Sequence, residues 1–453
     1  MIKFIPLGGA NEVGASCFYL NIEGTGILLD CGTNPRKKGK DSLPNFSLLK
    51  TEPLDFVLIS HAHQDHIGAL PFLVQEFPHA IIYSTYQTKE IADITLHNAA
   101  NILAQENIEQ SELRNYTHEE IDFLVKSIRD VNYNQQFEIE RLLHHSSEKI
   151  RITFVDAGHI LGSSSIIIEI GNEKIIYTGD INLSNQSLMI GAALENFKKA
   201  TTLILETTYG ATDSHKLGSW ESEAKRLAKH ANKILHNGGS ILIPVFALGK
   251  TQEILSTLFS LMNKKILTET LIYTGGVSKE ISYVYDRNRF VVNYSQKDLV
   301  LRNIPQINFN EIDDLNYFRK NPGIVLASSG MILPGTPSYK FSKYWLNQKT
   351  FAIFIVGYVD EESPGYKISS SKKDDEIIFD DNIQKVHCDI ERFYFPSHAK
   401  REELLKIVDK SNPEKIILVH GEEEAQNWIG EKILSKHRSI KLYSAENGKS
   451  IEI

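Results

Sequence analysis

The chain has 453 residues, of which 42% are hydrophobic and 23% charged, so it is long enough for two or three globular domains. Its formal net charge of -8 disfavours a protein that coats nucleic acid, although a local basic groove could still grip one strand. Three cysteines with no CxxC spacing argue against a disulfide framework and favour a reducing, cytoplasmic setting. There is no signal-peptide pattern, and no apolar run approaches about 18 residues, so we expect no membrane partner.

The first half of the chain is predicted to be rich in strands. Two apolar runs at residues 16–22 and 26–30 are separated by glycine-containing turn residues, which is typical of a hairpin. Further strands are predicted at residues 54–60, 80–85, 151–155, 164–170, 174–178 and 203–208. Helices are predicted at residues 67–77 and 88–126. This pattern indicates a layered sheet-and-helix domain.

Beyond residue 208 apolar strands alternate with amphipathic helices, which indicates a parallel-sheet α/β unit. The predicted elements there are helices 220–236 and 250–262 and strands 240–244, 323–328 and 351–356. The charged stretch 369–381 is predicted as a crossing point between domains. It is followed by a helix at 401–410, a strand at 415–419 and a final helix and strand.

The strongest motif is His61-Ala62-His63-Gln64-Asp65-His66, directly after the predicted strand 54–60. Imidazole and carboxylate groups are the usual zinc ligands. His61 and His63, at i and i+2 on an extended segment, point to the same side and can hold one ion. Asp65 and His66 open the next helix and can turn toward a second position. Four ligand-type residues within six positions predict a metal site rather than a loop with chance histidines.

Three more ligand-type residues each follow a predicted strand and adjoin a glycine. They are His159, Asp180 and His420. Any one of them alone is more simply a loop residue with local hydrogen bonds. Together with the histidine cluster, they predict the rest of a two-metal site.

These motifs resemble those of the metallo-β-lactamase superfamily, whose HxHxDH motif matches residues 61–66. The resemblance implies an α/β fold, an αββα sandwich, and two Zn²⁺ ions per chain as cofactors. It also implies seven ligands, with His61, His63 and His159 on one ion, Asp65, His66 and His420 on the other, and Asp180 between the two. Asp30 matches the first acidic motif of the family and would support the ligands through hydrogen bonds without binding metal.

A segment of roughly 180 residues before the His420 motif resembles the β-CASP insertion, which marks the nucleic-acid-processing branch of this superfamily. Matching motifs are the acidic motif at Glu206, the PxFAxGRxQE-like segment 244–253, the SSGM turn at 328–331, and the segment 395–399 around His398. We therefore expect a discontinuous metallo-β-lactamase domain at residues 1–207 and 391–453 with an inserted α/β β-CASP domain at residues 208–390. The likeness is greatest to prokaryotic relatives of the endonuclease subunit of the cleavage and polyadenylation factor. The histidine form of the last motif favours RNA over DNA.

For an RNA phosphodiester, the resemblance implies attack by a hydroxide that the two zinc ions activate, leaving a 5′-phosphate and a 3′-hydroxyl. The expected catalytic residues are Asp65, Asp180, Glu206 and His398. His398 is the candidate proton donor to the leaving 3′-oxygen, oriented by Glu206. A structural or phosphate-binding role for His398 stays open.

Contacts with single-stranded RNA are expected from Lys250, Ser329, Ser397 and His398. Three departures from the family pattern affect the expected binding of RNA. Lys250 replaces an arginine and loses its bidentate fork, Lys400 replaces an aspartate, and acidic residues occupy 360–362. The hydrolytic motifs themselves are intact.

A zinc-dependent endoribonuclease is the first expectation. A 5′→3′ exoribonuclease of the RNase J kind uses the same core, but that branch typically carries a further C-terminal domain, and only 33 residues follow His420 here. A non-catalytic RNA-processing scaffold is disfavoured because all seven ligands are present, and the long insertion argues against a small-molecule esterase. Relatives are commonly dimers, so a homodimer is a further expectation.

Overall fold

The computed structural model describes residues 2–105, 116–140, 149–379 and 382–453. The chain divides into two compact units. The first unit comprises Met1–Ser184, Gly191–Ser214 and His398–Ile453, and the second comprises Asn185–Ile190 and His215–Ser397. We propose that these units correspond to the two domains predicted at 1–207 with 391–453 and at 208–390.

The first unit contains two seven-stranded sheets. In spatial order, the strands of one sheet are Ile451–Glu452, Ile2–Gly8, Cys17–Ile22, Thr25–Leu29, Phe56–Leu58, Ile81–Thr85 and Arg129–Val131. The strands of the other are Lys441–Ser444, Lys415–Val419, Thr202–Glu206, Glu173–Tyr177, Ser164–Ile170, Ile150–Asp156 and Phe137–Ile139. The predicted hairpin is confirmed, because Cys17–Ile22 and Thr25–Leu29 pair antiparallel with Ile22 opposite Thr25.

Side chains from both sheets of the first unit share one apolar core, as in a sandwich. The alternation of a strand places Ile166 and Ile168 in this core, whereas Ile167 belongs to a second cluster on the other face. The second cluster includes side chains of the helices Arg401–Ser411 and Glu423–Lys436. This layering confirms the αββα architecture expected from the sequence.

Among the described residues, the remaining α-helices of the first unit lie in the chain between consecutive strands of the first sheet. They are Gln64–Ile67, Leu70–Glu76, Tyr86–Gln105 and His118–Ser127. The helical region predicted at 88–126 thus contains two helices, and residues 106–115 lie outside the described residues. Thr117 begins the second helix with a capping box, its hydroxyl accepting from the Glu120 N–H. Within the described ranges, no helix has both the length and the apolar character needed to cross a membrane.

The second unit is built on a six-stranded sheet whose paired strands all run parallel, as the alternation of strands and helices predicts. In spatial order, the strands are Ile307–Asn308, Leu271–Thr274, Gly323–Ala327, Ile241–Pro244, Ala352–Val356 and Asp389–Phe393. The helices are Trp220–His236, Lys250–Asn263, Ser278–Asn288, Tyr317–Lys320, Pro337–Trp345 and Pro364–Ser369. The prediction of a crossing point between domains at 369–381 is wrong, because this stretch lies inside the second unit, where the strand Glu376–Phe379 pairs antiparallel with Asn382–Lys385.

The buried carboxylate of Glu253 anchors the segment Asn185–Ile190 to the helix Lys250–Asn263 within the second unit. It accepts hydrogen bonds from the backbone N–H groups of Leu188 (2.7 Å) and Met189 (3.0 Å). Burial raises the pKa of Glu253 to about 7, and these backbone donors only partly offset that effect.

The raised pKa of Glu253 predicts a pH dependence of stability. In the unfolded chain this group titrates near its ordinary value of 4.5, so between about pH 4.5 and 7 the folded unit holds a proton that the unfolded chain releases. Its contribution to stability is therefore lost as the pH rises through this window. We expect the wild-type melting temperature to fall by several degrees more than that of Glu253→Gln between pH 5.5 and 7.5. Parallel pH profiles in calorimetry would contradict this assignment.

Candidate metal centre and active site

The loop from His61 to His66 leaves the short strand Phe56–Leu58 and enters the one-turn helix Gln64–Ile67. The strand predicted at 54–60 ends early because its last residues turn away to form this loop. Neighbouring backbone fixes it: Ser16 N–H donates to the Asp65 carbonyl (2.8 Å) and Cys31 N–H to the His66 carbonyl (2.8 Å). A Cβ atom at Gly32 would lie 1.7 Å from the Asp65 carbonyl oxygen, so only glycine permits this close approach.

Four candidate ligands of the first unit form one compact group: His61, His63, His159 and Asp180. His63 Nδ1 lies 3.1 Å from His61 Nε2 and 3.2 Å from His159 Nε2. Asp180 Oδ2 lies 3.5 Å from His61 Nε2 and 3.6 Å from His159 Nε2. Four ligands around one zinc ion at about 2.0–2.1 Å would be separated by roughly 3.3 Å, so this group has the dimensions of one tetrahedral site.

The other candidate ligands, Asp65, His66 and His420, form a second group beside the first. His420 Nε2 lies 3.5 Å from Asp65 Oδ2, and His66 Nε2 lies 3.9 Å from the same oxygen. The second oxygen of Asp180, Oδ1, faces this group at 3.4 Å from His66 Nε2 and 3.2 Å from His420 Nδ1. One carboxylate therefore presents one oxygen to each group, which is the arrangement that a bridging ligand requires.

Two buried polar atoms in these groups have no hydrogen-bond partner among the described residues: Asp180 Oδ1 and His420 Nε2. An unsatisfied buried polar atom costs about 1–3 kcal/mol. A cation coordinated by these atoms would remove that cost. The donor set and the spacing thus fit a divalent metal ion in each group, and the orphaned atoms give further support for the ion in the second group.

The electrostatics of the groups reflect the carboxylates that lie among the histidines. Burial favours neutral His66, but the carboxylates of Asp180, Asp30 and Asp65 outweigh it and hold the pKa of His66 well above its usual value. Burial likewise opposes charge on Asp180, yet the surrounding histidines hold its pKa well below the usual range. For His61, burial and its histidine neighbours lower the pKa well below 6.5, leaving a neutral imidazole that is ready to bind metal.

Asp30 lies beneath the histidine loop and is fully buried. Its Oδ2 interacts with the Ser60 hydroxyl (2.6 Å), the Tyr177 hydroxyl (2.7 Å) and His66 Nδ1 (2.8 Å), and its Oδ1 accepts from the Ser60 N–H (2.6 Å). The bond to Nδ1 leaves Nε2 of His66 directed at Asp180 and Asp65. The arrangement supports the role proposed for Asp30, which is to orient a ligand without binding metal.

Asp30→Ala is expected to destabilise the first unit by about 3–5 kcal/mol, because it leaves buried donors and His66 without their partner. Metal affinity should fall about 10–100-fold, since the orientation of His66 is lost. Denaturant unfolding and metal titration measure the two effects. The control is Asp55→Ala, which removes a single bond to the Gly26 N–H (2.9 Å) and should leave metal affinity unchanged. Equal effects of the two substitutions would contradict the role of Asp30.

Glu206 and His398, both in the first unit, lie beside the metal-ligand groups. Glu206 Oε1 lies 3.2 Å from His398 Nδ1 and accepts from the Ile181 N–H (2.9 Å). Its other oxygen accepts from the Thr208 N–H (3.1 Å). His398 Nδ1 is also 3.9 Å from Asp180 Oδ2, and the side chain is 13% exposed. In the described part of the chain no hydrogen bond involves His398 Nε2, so this atom is the one left to meet a substrate.

The residues expected to bind RNA belong, apart from His398, to the second unit. Lys250 is buried, and its ammonium donates to the Phe395 carbonyl (2.5 Å) and lies 5.3 Å from the centre of the Trp220 ring. Burial lowers the pKa of Lys250 to about 8. Ser329 uses its hydroxyl to accept from the Met331 N–H (3.2 Å) within its own turn. Ser397 directly precedes His398 in the chain.

The acidic residues 360–362 lie in two different environments, one buried and one exposed. Asp360 is buried and accepts from the Glu362 N–H (3.0 Å), so its charge serves the local turn. Glu361 and Glu362 are exposed.

Sequence analysis missed two residues that orient candidate ligands and one that holds Asp30. The Ser60 hydroxyl lies 3.0 Å from His61 Nδ1, the Thr208 hydroxyl lies 3.1 Å from His420 Nδ1, and Tyr177 donates to Asp30. For Ser60 and Thr208, the position in the sequence was an available indication. Ser60 adjoins His61, and Thr208 follows Glu206 by two residues. Tyr177 is 147 positions from Asp30, and nothing local in the sequence links them.

Comparison with known proteins agrees with the fold. Residues 19–208 match the model of the metallo-beta-lactamase superfamily domain, 251–368 the Beta-Casp domain, and 383–444 the Zn-dependent metallo-hydrolase RNA specificity domain. The chain is 30% identical over 463 residues to Integrator complex subunit 11 of Danio rerio, covering 100% of this chain and 74% of that protein. It is 30% identical over 417 residues to an RNase J-like protein of Methanocaldococcus jannaschii, covering 92% and 91% respectively.

A solved structure has the same fold. The crystal structure of a protein of unknown function from Enterococcus faecalis V583 matches with a TM-score of 0.60 at 15% identity, covering 100% of this chain and 99% of that one. The sandwich and its paired histidine–aspartate groups define a metallo-hydrolase of the metallo-β-lactamase superfamily. Within that superfamily, the chain belongs to the β-CASP family of RNA-processing nucleases.

Proposed function

We propose that this protein is a zinc-dependent endoribonuclease that hydrolyses single-stranded RNA to a 5′-phosphate and a 3′-hydroxyl. The observation that carries the proposal is the position of Asp180, whose two oxygens face separate groups of three ligands, with His398 adjoining. Two Zn²⁺ ions bound there would lower the pKa of water to about 7 and offset the charge of the phosphodiester.

The residues of the chain have three further roles in this proposal: metal binding, orientation of the ligand rings, and proton donation. The seven proposed ligands are His61, His63, Asp65, His66, His159, Asp180 and His420. Asp30, Ser60 and Thr208 hold the ligand rings in orientation. Glu206 positions the ring of His398 through Nδ1, and His398 Nε2 delivers a proton to the leaving 3′-oxygen.

The burial of Lys250 supports a role in positioning the chain before His398 rather than direct contact with RNA. Its bond to the Phe395 carbonyl fixes the chain three residues before His398. Direct RNA contacts of Ser329 and Ser397 stay predictions, as do a homodimer and a cytoplasmic location.

A 5′→3′ exoribonuclease is the second candidate. It is favoured by the similarity to the RNase J-like protein, which the alignment covers over 91% of its length. Both candidates use the same hydrolytic residues, so the mode of attack must be measured directly.

A circular single-stranded RNA separates the two functions, because it has no end for an exonuclease to enter. We expect the zinc-loaded protein to linearise the circle, with product ends that carry a 5′-phosphate and a 3′-hydroxyl. Addition of chelator and the Asp180→Ala variant should both stop the reaction. An intact circle together with mononucleotide release from linear 5′-monophosphorylated RNA would replace the endonuclease by the exonuclease. No cleavage of either RNA, combined with fewer than one zinc per chain, would indicate a scaffold.

A further inference from the structure

A further group of histidine and aspartate side chains, separate from the two groups around Asp180, lies at the surface of the first unit. It is on the helices Tyr86–Gln105 and His118–Ser127. Each helix presents one histidine and one aspartate separated by four positions and hence on the same face. These pairs are Asp93 with His97 and His118 with Asp122. The rings of His97 and His118 are stacked with their centres 4.9 Å apart, so the two pairs face each other.

Two carboxylates from different helices converge on one nitrogen. His97 Nε2 lies 3.4 Å from Asp93 Oδ1 and 3.3 Å from Asp122 Oδ1. Charge-assisted N–H···O bonds are usually shorter, about 2.7–2.9 Å. The three ligand atoms all lie within 4.8 Å of one another, which leaves space for an ion between them.

A chain of hydrogen bonds connects the rings of His97 and His118 to Asn101. His118 Nε2 lies 3.2 Å from Asn101 Oδ1, and because an amide oxygen only accepts, His118 carries its proton on Nε2. His118 Nδ1 is then available to accept a hydrogen bond from His97 Nδ1, 2.6 Å away. Nε2 of His97, on the other side of the ring, faces the carboxylates of Asp93 and Asp122. Two carboxylates that converge on one imidazole nitrogen favour a positive charge at this point, which either a proton on Nε2 or a bound cation would supply.

We propose that Asp93, His97 and Asp122 bind a divalent cation of the zinc type at a surface site distinct from the candidate active site. One imidazole and two carboxylates are a suitable donor set for such an ion. His118 acts as the outer partner that fixes the tautomer of the ligand. The aspartate side chains are about half exposed (52% and 53%), so water can complete the coordination.

The location gives this site a structural consequence. The helix Tyr86–Gln105 contacts both ligand loops of the candidate active site: the Thr88 hydroxyl donates to the Gly162 carbonyl (2.8 Å), and Gln64 Nε2 donates to the Thr95 carbonyl (3.2 Å). Thr95 is two residues before His97. An ion shared by the two helices would stabilise the wall against which those loops pack.

The test is a Zn²⁺ titration by calorimetry of protein whose active-site ligands are already metal-loaded. We expect one additional equivalent of Zn²⁺ to bind to the wild type, with a rise in melting temperature, and no such equivalent in His97→Ala. Asp122→Asn should weaken this binding by at least tenfold. RNA cleavage should be unchanged in both variants, so loss of this site is distinguishable from loss of the active site.

The matched control is His437→Ala. His437 Nε2 also meets an aspartate, Asp409 Oδ1, at 2.8 Å, but Lys436 already occupies that carboxylate at 2.6 and 2.7 Å. This variant should retain the additional equivalent. Equal zinc stoichiometry in the wild type and His97→Ala would overturn the proposal and assign His97 to a protonated ion pair with its two aspartates.

Discussion

Asp180→Ala is expected to empty both metal positions and to reduce RNA cleavage by at least about 10³-fold. Each oxygen of Asp180 faces a different group of histidines, so the substitution removes a ligand and a negative charge from both positions at once. Loss of about 4 kcal/mol of transition-state stabilisation corresponds to that factor. Elemental analysis after dialysis and single-turnover cleavage of a defined RNA measure the two effects.

A buried aspartate remote in sequence from the ligands provides the control. Asp286, in the second unit, is 2% exposed and accepts from the backbone N–H groups of Leu301 and Arg302. Asp286→Ala should reduce stability and leave the metal content of the first unit intact. Asp180→Ala protein that still retains two ions per chain would contradict the bridging role.

The histidine–aspartate site could be predicted because its ligands obey a local rule. His61, His159, Asp180 and His420 all follow apolar strands closely. The strands before His159, Asp180 and His420 run in the same direction within one sheet, so they end at the same edge, and the strand before His61 belongs to the other sheet. The positions of these strands can be predicted from the apolar runs in the sequence alone. The partition into two groups was implied by family resemblance, and the distances around Asp180 agree with it.

What could not be predicted depends on backbone conformation and on contacts between distant strands. Asp30 and His420 adopt positive φ angles of 59° and 49°, which aim both side chains into the site from strand ends. Non-glycine residues seldom adopt this conformation, so sequence patterns gave no indication of it. The bond between Tyr177 and Asp30 likewise follows from packing the two sheets together and not from any local motif.

Lys250 illustrates a limit of motif reasoning. Its place in a PxFAxGK segment suggested a cation exposed to the phosphate backbone. The structure instead surrounds its ammonium with the Phe395 carbonyl and the Trp220 ring. Burial of a lysine depends on which loop folds over it, and that loop is about 145 residues further along the chain.

His398→Ala is expected to slow cleavage by about 10²–10⁴-fold while the metal content stays unchanged, because His398 is proposed to donate a proton and not to bind an ion. Nδ1 is engaged by Glu206 at 3.2 Å, and the side chain of His398 is more exposed than those of the buried histidines His61, His66, His159 and His420. Glu206→Gln should cause a smaller loss, since it weakens the orientation of the ring and keeps the ring itself.

Substrate chemistry separates proton donation from mere substrate binding by His398. An RNA whose scissile 3′-oxygen is replaced by sulfur has a leaving group that departs without protonation. If His398 Nε2 protonates the 3′-oxygen, the His398→Ala variant should cleave this RNA at nearly the wild-type rate, so the defect disappears. A histidine that only binds phosphate or holds the fold would leave the variant equally slow on both substrates. That outcome, with both metals still bound, would show that His398 does not donate the proton. Solvent would then be the proton donor to the leaving 3′-oxygen.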